Sequence, residues 1–270
     1  MPGPDLATDP LKSPCLTRTE ETWNPNTEER LMISYRNKVL LVTATALGLA
    51  GTVHAEGIYG TAMIGASHQV GDSKPYGNNI AADQDFPGKF DTGDGAMGAL
   101  GIGYAFNNQF RVEGRLSLHR ADFDSQQFGT GARAGEEYVL NGDIKSTTLT
   151  IEGFYDIPVN DRFAPYVKAG VGVTRNRYSA RLGGAGVAAF DSFDGTTDGY
   201  YDAYDDQTST EFTWNVGFGG SLALNDQFTL FGEYQYVDFG DASTGQDAFT
   251  DGFRVNTSAH EILFGARADF

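Results

Sequence analysis

The chain is dominated by short runs in which apolar residues alternate with small or polar residues. The run that begins at Phe110 shows the pattern, because its two faces read Val112, Gly114, Leu116 and Leu118 against Arg111, Glu113, Arg115, Ser117 and His119. A period of two residues is typical of a β-strand with one apolar face. Eight such runs occur, at about 58–68, 96–106, 110–119, 148–155, 167–174, 211–224, 230–236 and 261–270. The sequence therefore predicts an all-β protein of eight strands.

The connections between these runs are alternately short and long. Three short connections have the form Asn-x-x-Phe, at 107–110, 160–163 and 225–228. Asn and Asp tolerate the backbone geometry of tight turns, so each predicts a hairpin. The long connections are polar and span about 71–94, 121–142, 176–209 and 238–257. This order predicts an antiparallel up-and-down barrel with the short turns and both termini at one end and the long loops at the other.

The N-terminal region carries the features of an export signal. Arg36 and Lys38 precede the apolar run 39–50, and short side chains lead up to Ala55. This arrangement predicts a secretory signal peptide that is cleaved between Ala55 and Glu56, with export through the Sec pathway. The apolar run is shorter than the ~20 residues that a transmembrane helix needs.

These features predict three regions. Residues 1–31 are polar and rich in proline, and we interpret them as an N-terminal extension that arises when the start site is set ahead of Met32. An extended signal peptide is the alternative interpretation. Residues 32–55 form the predicted signal peptide, and residues 56–270 form the predicted barrel domain.

The barrel predicted here could be embedded in a membrane, or soluble with its apolar face inward, as in lipocalins. The polar face is rich in Gly, Ala, Ser and Thr, whereas an exterior in contact with water usually carries more Lys and Glu. The chain also ends on a strand whose last residue, Phe270, lies on the apolar face. Aromatic residues cluster near strand ends on that face, as in the girdles of membrane barrels: Tyr104, Phe106, Phe110, Tyr155, Phe228, Tyr236 and Phe270. The sequence thus favours an eight-stranded transmembrane β-barrel.

Three sequence features resemble one family. They are the motif Phe-Tyr-Asp-Ile-Pro at 154–158, the run Pro-Tyr-Val-Lys-Ala-Gly-Val-Gly at 165–172, and the alternating last strand that ends in Phe270. Together they resemble the opacity-protein and OmpA-type outer-membrane β-barrel surface antigens. The resemblance implies a location in the Gram-negative outer membrane, in contact with its lipid and lipopolysaccharide. It also implies that Phe270 belongs to the signal read by the barrel-assembly machinery.

Composition and charge exclude several functions. The formal net charge is −17, which argues against a nucleic-acid partner. The single cysteine, Cys15, provides neither a disulfide nor a cysteine metal site. Ser117 and His119 lie on one face with Glu113, but residues two apart on a strand are separated by ~6–7 Å, too far for a direct hydrogen bond. We therefore expect no catalytic residues, no cofactor and no metal site.

The inward face is predicted to carry opposite charges at matched depths. Because an unpaired buried ion is costly, we expect these residues to pair as a plug that leaves little or no conductance. The alternative is that some of them face trapped water. The predicted network consists of Arg111, Glu113, Arg115, Glu152, Lys168, Glu233 and Arg267.

The long connections are acidic, most clearly in 176–209, where aspartates are interspersed with tyrosines. A solvated acidic surface is the preferred interpretation, and calcium binding and adhesion to a host or surface ligand are alternatives. The sequence thus predicts a non-enzymatic protein with a role in envelope integrity and surface interaction. A narrow porin-like channel for small solutes is the second hypothesis.

Overall fold

The structure, a computed structural model, describes residues 57–77, 82–185, 200–245 and 252–270, without the side chains of 200–203. The predicted extension, the signal peptide and the cleavage site at Ala55 and Glu56 lie outside these residues. The strands are β1 (Gly57–Gln69), β2 (Asp72–Tyr76), β3 (Phe90–Asp91), β4 (Asp94–Ala105), β5 (Phe110–Phe128), β6 (Glu137–Asp156), β7 (Phe163–Gly183), β8 (Tyr200–Ala223), β9 (Phe228–Ser243) and β10 (Gly252–Asp269).

Eight of these strands close into an antiparallel ring in the order β1-β4-β5-β6-β7-β8-β9-β10, which is completed by pairing of β10 with β1. The prediction of an eight-stranded up-and-down barrel is confirmed. Following paired residues once around the ring from Tyr59 leads back to Gln69, ten residues further along β1, through Gly103, Glu113, Glu152, Gly170, Asn215, Val237 and Ala259. This stagger requires tilted strands, by about 35–45° in barrels of this kind.

The three short turns are built alike. The side-chain oxygen of Asn107 accepts backbone hydrogen bonds from Gln109 and Phe110, each 2.8 Å long. Asn160 and Asn225 accept the equivalent pair of bonds in their own turns, at 2.8–3.0 Å. In each turn the asparagine side-chain oxygen takes the place of a backbone carbonyl as hydrogen-bond acceptor, which explains the repeated Asn-x-x-Phe motif.

An apolar band surrounds the barrel next to these turns. On β5 it covers nine residues, Phe110 to Leu118, and on β7 eleven, Phe163 to Val173, with the outward apolar side chains exposed on both. Strands of about 9–11 tilted residues span a bilayer core, and the exposed apolar band of such barrels is about 25 Å tall. This surface is the lipid-facing part of the molecule. Among the described residues no helix is long and apolar enough to cross a membrane.

Beyond the band the strands continue, and their two faces exchange character. On β5 the inward residues change from charged or polar to Ala121 and Phe123, while the outward residues become Arg120, Asp122 and Asp124. An interior core forms here from Phe86, Phe90, Phe123, Tyr138, Leu140, Ile144, Tyr178, Ala180, Leu182, Tyr204, Ala242, Phe253 and Val255. This part, which we call the outer extension, is built like a soluble barrel with its apolar face inward.

The outer extension corrects the predicted loop boundaries. The segment 121–142 was expected to be a loop, yet strands β5 and β6 reach Phe128 and Glu137 and are paired to their ends. Likewise the region 176–209 contains the paired ends of β7 and β8, and 238–257 those of β9 and β10. The period-two alternation continues across the membrane boundary, but the apolar residues change from the outward to the inward face. The outward aspartates that result have the composition of a loop, and this is why the strands were predicted to end too early.

The first long connection also contributes strands. Short strand β2 pairs with the first residues of β10, and β3 pairs with β2, so both line the rim above β1 and β4. This connection is tied to the next one, since Arg133 forms ion pairs with Asp83 at 2.7 Å and Glu136 at 3.0 Å. The hydrogen bond from Arg133 holds the pKa of the Asp83 carboxyl below its usual range.

Candidate functional site

The middle of the lumen holds a buried cluster of five ions, which we call the central cluster: Glu113, Arg115, Glu152, Lys168 and Glu233. Arg115 donates to Glu113 at 2.9 Å and to Glu233 at 2.7 Å, and its Nη1 lies 3.1 Å from Glu152 Oε2. The Lys168 ammonium lies 2.9 Å from both Glu152 and Glu233. All five side chains are at most 2% exposed. The two cations therefore connect three carboxylates from β5, β6 and β9.

The register of the sheet brings these residues together. Glu113 pairs directly with Glu152 across β5 and β6, so two carboxylates lie side by side and need shared cations. Glycine on neighbouring strands makes the room, because a Cβ on Gly170 would lie 2.7 Å from Glu152 Cγ. A larger residue there would displace the carboxylate.

Neutral donors complete the central cluster. Tyr166 donates to Glu233 and Asn215 to Glu152, each at 3.0 Å, and Thr150 donates to Glu152 at 3.2 Å. Glu113 Oε2 accepts no hydrogen bond from the described residues. With three carboxylates and two cations, the central cluster has a formal charge of −1 when all five groups are ionised.

Two of the seven predicted network residues lie apart from the central cluster, nearer the short turns. Arg111 donates to Asp156 at 2.8 and 3.3 Å, and its guanidinium lies 3.9 Å from the centre of the Phe154 ring. Arg267 pairs with Asp269 at 3.1 Å. The expectation of one network of seven residues is therefore wrong for these two, because each has a nearer carboxylate on its own or the adjacent strand. Sequence analysis missed both aspartates, although Asp156 continues the inward alternation of β6.

A third polar layer lies toward the loop end. His119 Nε2 lies 3.1 Å from Glu261 Oε1, and Gln235 donates to Glu261 at 2.6 Å. The structure gives no hydrogen bond between Ser117 and His119 among the described residues. The acid that faces His119 is thus Glu261 on strand β10, which also has Gln235 and Ser67 as hydrogen-bond partners.

The apolar core of the outer extension occupies the barrel above this layer. Phe253 packs edge-on against Phe90 at a ring separation of 5.7 Å and against Tyr204 at 5.3 Å. Tyr178 and Ser73 join their hydroxyls at 2.6 Å inside the same core. The lumen therefore contains four layers from the short turns outward. They are the arginine–aspartate pairs, the central cluster, the polar layer of His119 and Glu261, and the core of the outer extension, which we call the aromatic layer.

Three further features considered in the sequence analysis are the terminal Phe270, metal binding and the third long connection. The backbone N–H of Phe270 donates to the Ile58 carbonyl at 3.0 Å, which places the last residue beside the first barrel strand. Among the described part of the chain, no group of three or more His, Cys, Asp or Glu is arranged to hold a metal ion. In the third long connection, Asp191, Asp194 and Asp198 lie outside the described residues, whereas Tyr204, Asp205 and Asp206 lie on strand β8.

Comparisons with known proteins agree with this geometry. Residues 40–270 match the model of the family described as the outer membrane protein beta-barrel domain. Outer membrane protein PagN of Salmonella typhimurium is 26% identical over 209 residues, which covers 72% of this chain and 79% of PagN.

Solved structures with the same kind of fold have low sequence identity. Neisserial surface protein A is 19% identical over 81% of this chain and 100% of its own, with a TM-score of 0.42. OprG of Pseudomonas aeruginosa is 19% identical over 79% of this chain and 97% of its own, with a TM-score of 0.46. The attachment invasion locus protein Ail of Yersinia pestis is 15% identical over 79% of this chain and 99% of its own, with a TM-score of 0.40.

The family match covers the whole described barrel, and with it the predicted location is confirmed. The chain belongs to the outer-membrane β-barrel protein family and is a protein of the Gram-negative outer membrane.

Proposed function

We propose that the protein is a non-enzymatic, closed barrel that presents a binding surface outside the cell and contributes to envelope integrity. The observation that carries this proposal is the outer extension. Its strands continue past the apolar band, and its buried aromatic core makes it a rigid support for the loops. A barrel that served only to cross the membrane would not need a second core beyond it.

The filled lumen supports the same proposal. An eight-stranded barrel is only wide enough to be filled by side chains, and here charged and aromatic layers follow one another along the axis. A narrow channel for small solutes would need a continuous polar path, and the aromatic layer interrupts such a path. We therefore place surface interaction ahead of solute passage.

The surface that the loops present is acidic. Residues from Glu56 onward contain 30 Asp and Glu against 14 Lys and Arg. On the outer extension the outward positions of β5 and β6 include Asp122, Asp124 and Asp143. The surface suits a partner with basic groups, because complementary charge steers association.

The third long loop offers a direct test of surface interaction. We expect bacteria that display the protein to adhere to cultured epithelial cells, and replacement of residues 186–199 by a short Gly-Ser linker to reduce adhesion to the level of an empty vector. The barrel itself should still fold, since β7 and β8 pair without this segment. Adhesion is measured by counting bound bacteria.

The control is Asp161→Asn in a short turn at the opposite end of the barrel, which should leave adhesion unchanged. Wild-type adhesion no higher than that of the empty vector, or equal adhesion of the linker variant and the wild type, would contradict an adhesive role for this loop.

A further inference from the structure

Basic side chains gather on one side of the barrel at the outer edge of the apolar band. Of the 14 Lys and Arg residues after residue 55, five project from strands β5 to β7 on the outward face: Arg120, Lys145, Arg175, Arg177 and Arg181. The chain has about twice as many acidic as basic residues after residue 55, so a cluster of five basic side chains on three adjacent strands is unusual. We call the four nearest the band, Arg120, Lys145, Arg175 and Arg177, the basic patch.

The register fixes the height of the basic patch. Arg120 pairs with Lys145, and Lys145 pairs with Arg177, so three cations are direct cross-strand neighbours. Arg175 lies one outward position closer to the membrane than Arg177. Because the strands are tilted, each paired position lies ~3 Å further from the short turns on going from β5 to β6 and from β6 to β7. Arg120, Lys145 and Arg175 therefore lie at nearly the same distance from the short-turn end of the barrel.

That height is the boundary between hydrocarbon and headgroups. Directly below Arg120 and Arg175 are the exposed apolar side chains of Leu118 and Val173, and below Lys145 the outward face of β6 continues through Thr147 to the exposed Leu149. On β1 and β4 the corresponding boundary positions carry His68 and Asp94, which pair with each other, and neither position carries Lys or Arg. The basic patch is therefore confined to one side of the barrel.

The protein's own acids compensate the basic patch only in part. Arg120 pairs with Asp122 at 2.9 Å and Lys145 with Asp143 at 2.6 Å, and both aspartates lie one outward position further from the membrane. Arg177 pairs with Asp206. Among the described residues Arg175 has no ion pair. Like charges on directly opposed positions destabilise a sheet, so Arg175, in the layer closest to the lipid, would be stabilised by a further negative charge.

A surface depression between β6 and β8 brings these donors together. It has a volume of about 430 Å³ and is lined by Lys145, Thr147, Arg175, Arg177, Asp206 and Thr208. Three cations and two hydroxyls face one space that is open to the headgroup layer. Guanidinium groups bind phosphate through paired N–H donors, and threonine hydroxyls add further donors.

We propose that the basic patch binds a phosphate group of the outer-leaflet glycolipid, lipopolysaccharide. Lipid is the occupant because the patch touches the upper edge of the apolar band, where a headgroup phosphate lies while its acyl chains cover Leu118, Leu149 and Val173. This assignment depends on the outer-membrane location and is independent of any adhesive role for the loops.

The test compares binding of phosphorylated lipopolysaccharide and the same lipid after enzymatic removal of its phosphates. The full-length, folded protein in detergent micelles should bind the phosphorylated form more tightly. The double variant Lys145→Ala with Arg175→Ala should bind it about 30-fold more weakly, since each basic residue near a charged lipid surface contributes about 1 kcal/mol. Heat-dependent gel mobility checks that the variant is folded.

The matched control removes the same charge elsewhere, through Lys89→Ala with Arg162→Ala, both exposed and outside the patch. It should bind as the wild type does. Equal binding of the two lipid forms by the wild type, or an unchanged affinity in the double variant, would overturn the proposal. Displacement of the lipid by millimolar inorganic phosphate alone would also overturn it, because the site would then recognise free phosphate and not a headgroup.

Discussion

Replacing Arg115 with alanine is expected to lower the free energy of unfolding of the barrel by about 3–5 kcal/mol, the usual effect of removing one partner from a buried ion pair. Arg115 contacts Glu113, Glu152 and Glu233, and it is 2% exposed. Without it, Lys168 alone would have to neutralise three carboxylates in the lumen. The measurement is urea-dependent unfolding of the protein in detergent, followed by the gel mobility of the folded band.

The control is Arg120→Ala on the same strand. Arg120 is exposed and its ion pair is with the neighbouring Asp122, so its loss should leave the urea midpoint nearly unchanged in lipopolysaccharide-free detergent. Equal urea midpoints for wild type and Arg115→Ala would show that the central cluster does not stabilise the barrel.

Replacing Phe253 with alanine is expected to loosen the outer extension at a cost of about 3–5 kcal/mol, the range for removal of a buried phenylalanine. Phe253 is fully buried and packs against Phe90 and Tyr204. The membrane-spanning part has its own interior and should stay folded. Limited proteolysis in intact bacteria should therefore cut the variant near the loops and leave the membrane-embedded fragment protected.

Phe128→Ala is the matched control, since Phe128 is 59% exposed at the outer end of β5. It should leave the cleavage pattern unchanged. If Phe253→Ala resists the protease as well as Phe128→Ala does, the aromatic core is not what holds the outer extension together.

The sequence was sufficient for the strands inside the membrane. Apolar and polar faces alternate there over nine to eleven residues, and the Asn-x-x-Phe turns fix the hairpins. Arg115, Glu152 and Glu233 belong to the inward charges that were expected to pair, and they meet in the central cluster. Lys168 and Glu113 also lie in this cluster. Because the strands are tilted, residues that are different numbers of positions away from the turns reach the same depth in the lumen.

The outer extension could not be predicted in the same way. Period-two alternation is identical on both sides of the membrane boundary, and a sequence does not show which of the two faces points inward. The outward run Arg120, Asp122 and Asp124 resembled a loop because soluble exteriors and loops have similar composition. The outer extension is recognised in the structure because β5 and β6 remain paired as far as Phe128 and Glu137.

The partners of Arg111 and Arg267 were missed for a different reason. Asp156 stands in the last position of β6, inside the family-like motif, and Asp269 is the last residue of β10. Asp156 continues the inward alternation of β6, and Asp269 lies on the polar face of the last strand, but both stand at strand ends outside the predicted network. The positions of the strand ends around the ring show which cation each of these carboxylates meets.

Recording the conductance of the folded, purified protein in planar lipid bilayers tests the central claim, that the barrel is closed by its central cluster and its aromatic layer. The account predicts no stepwise conductance from the wild type under conditions in which its gel mobility confirms the folded barrel. Regular, stable single-channel steps from the wild type would contradict it and would favour a narrow solute channel.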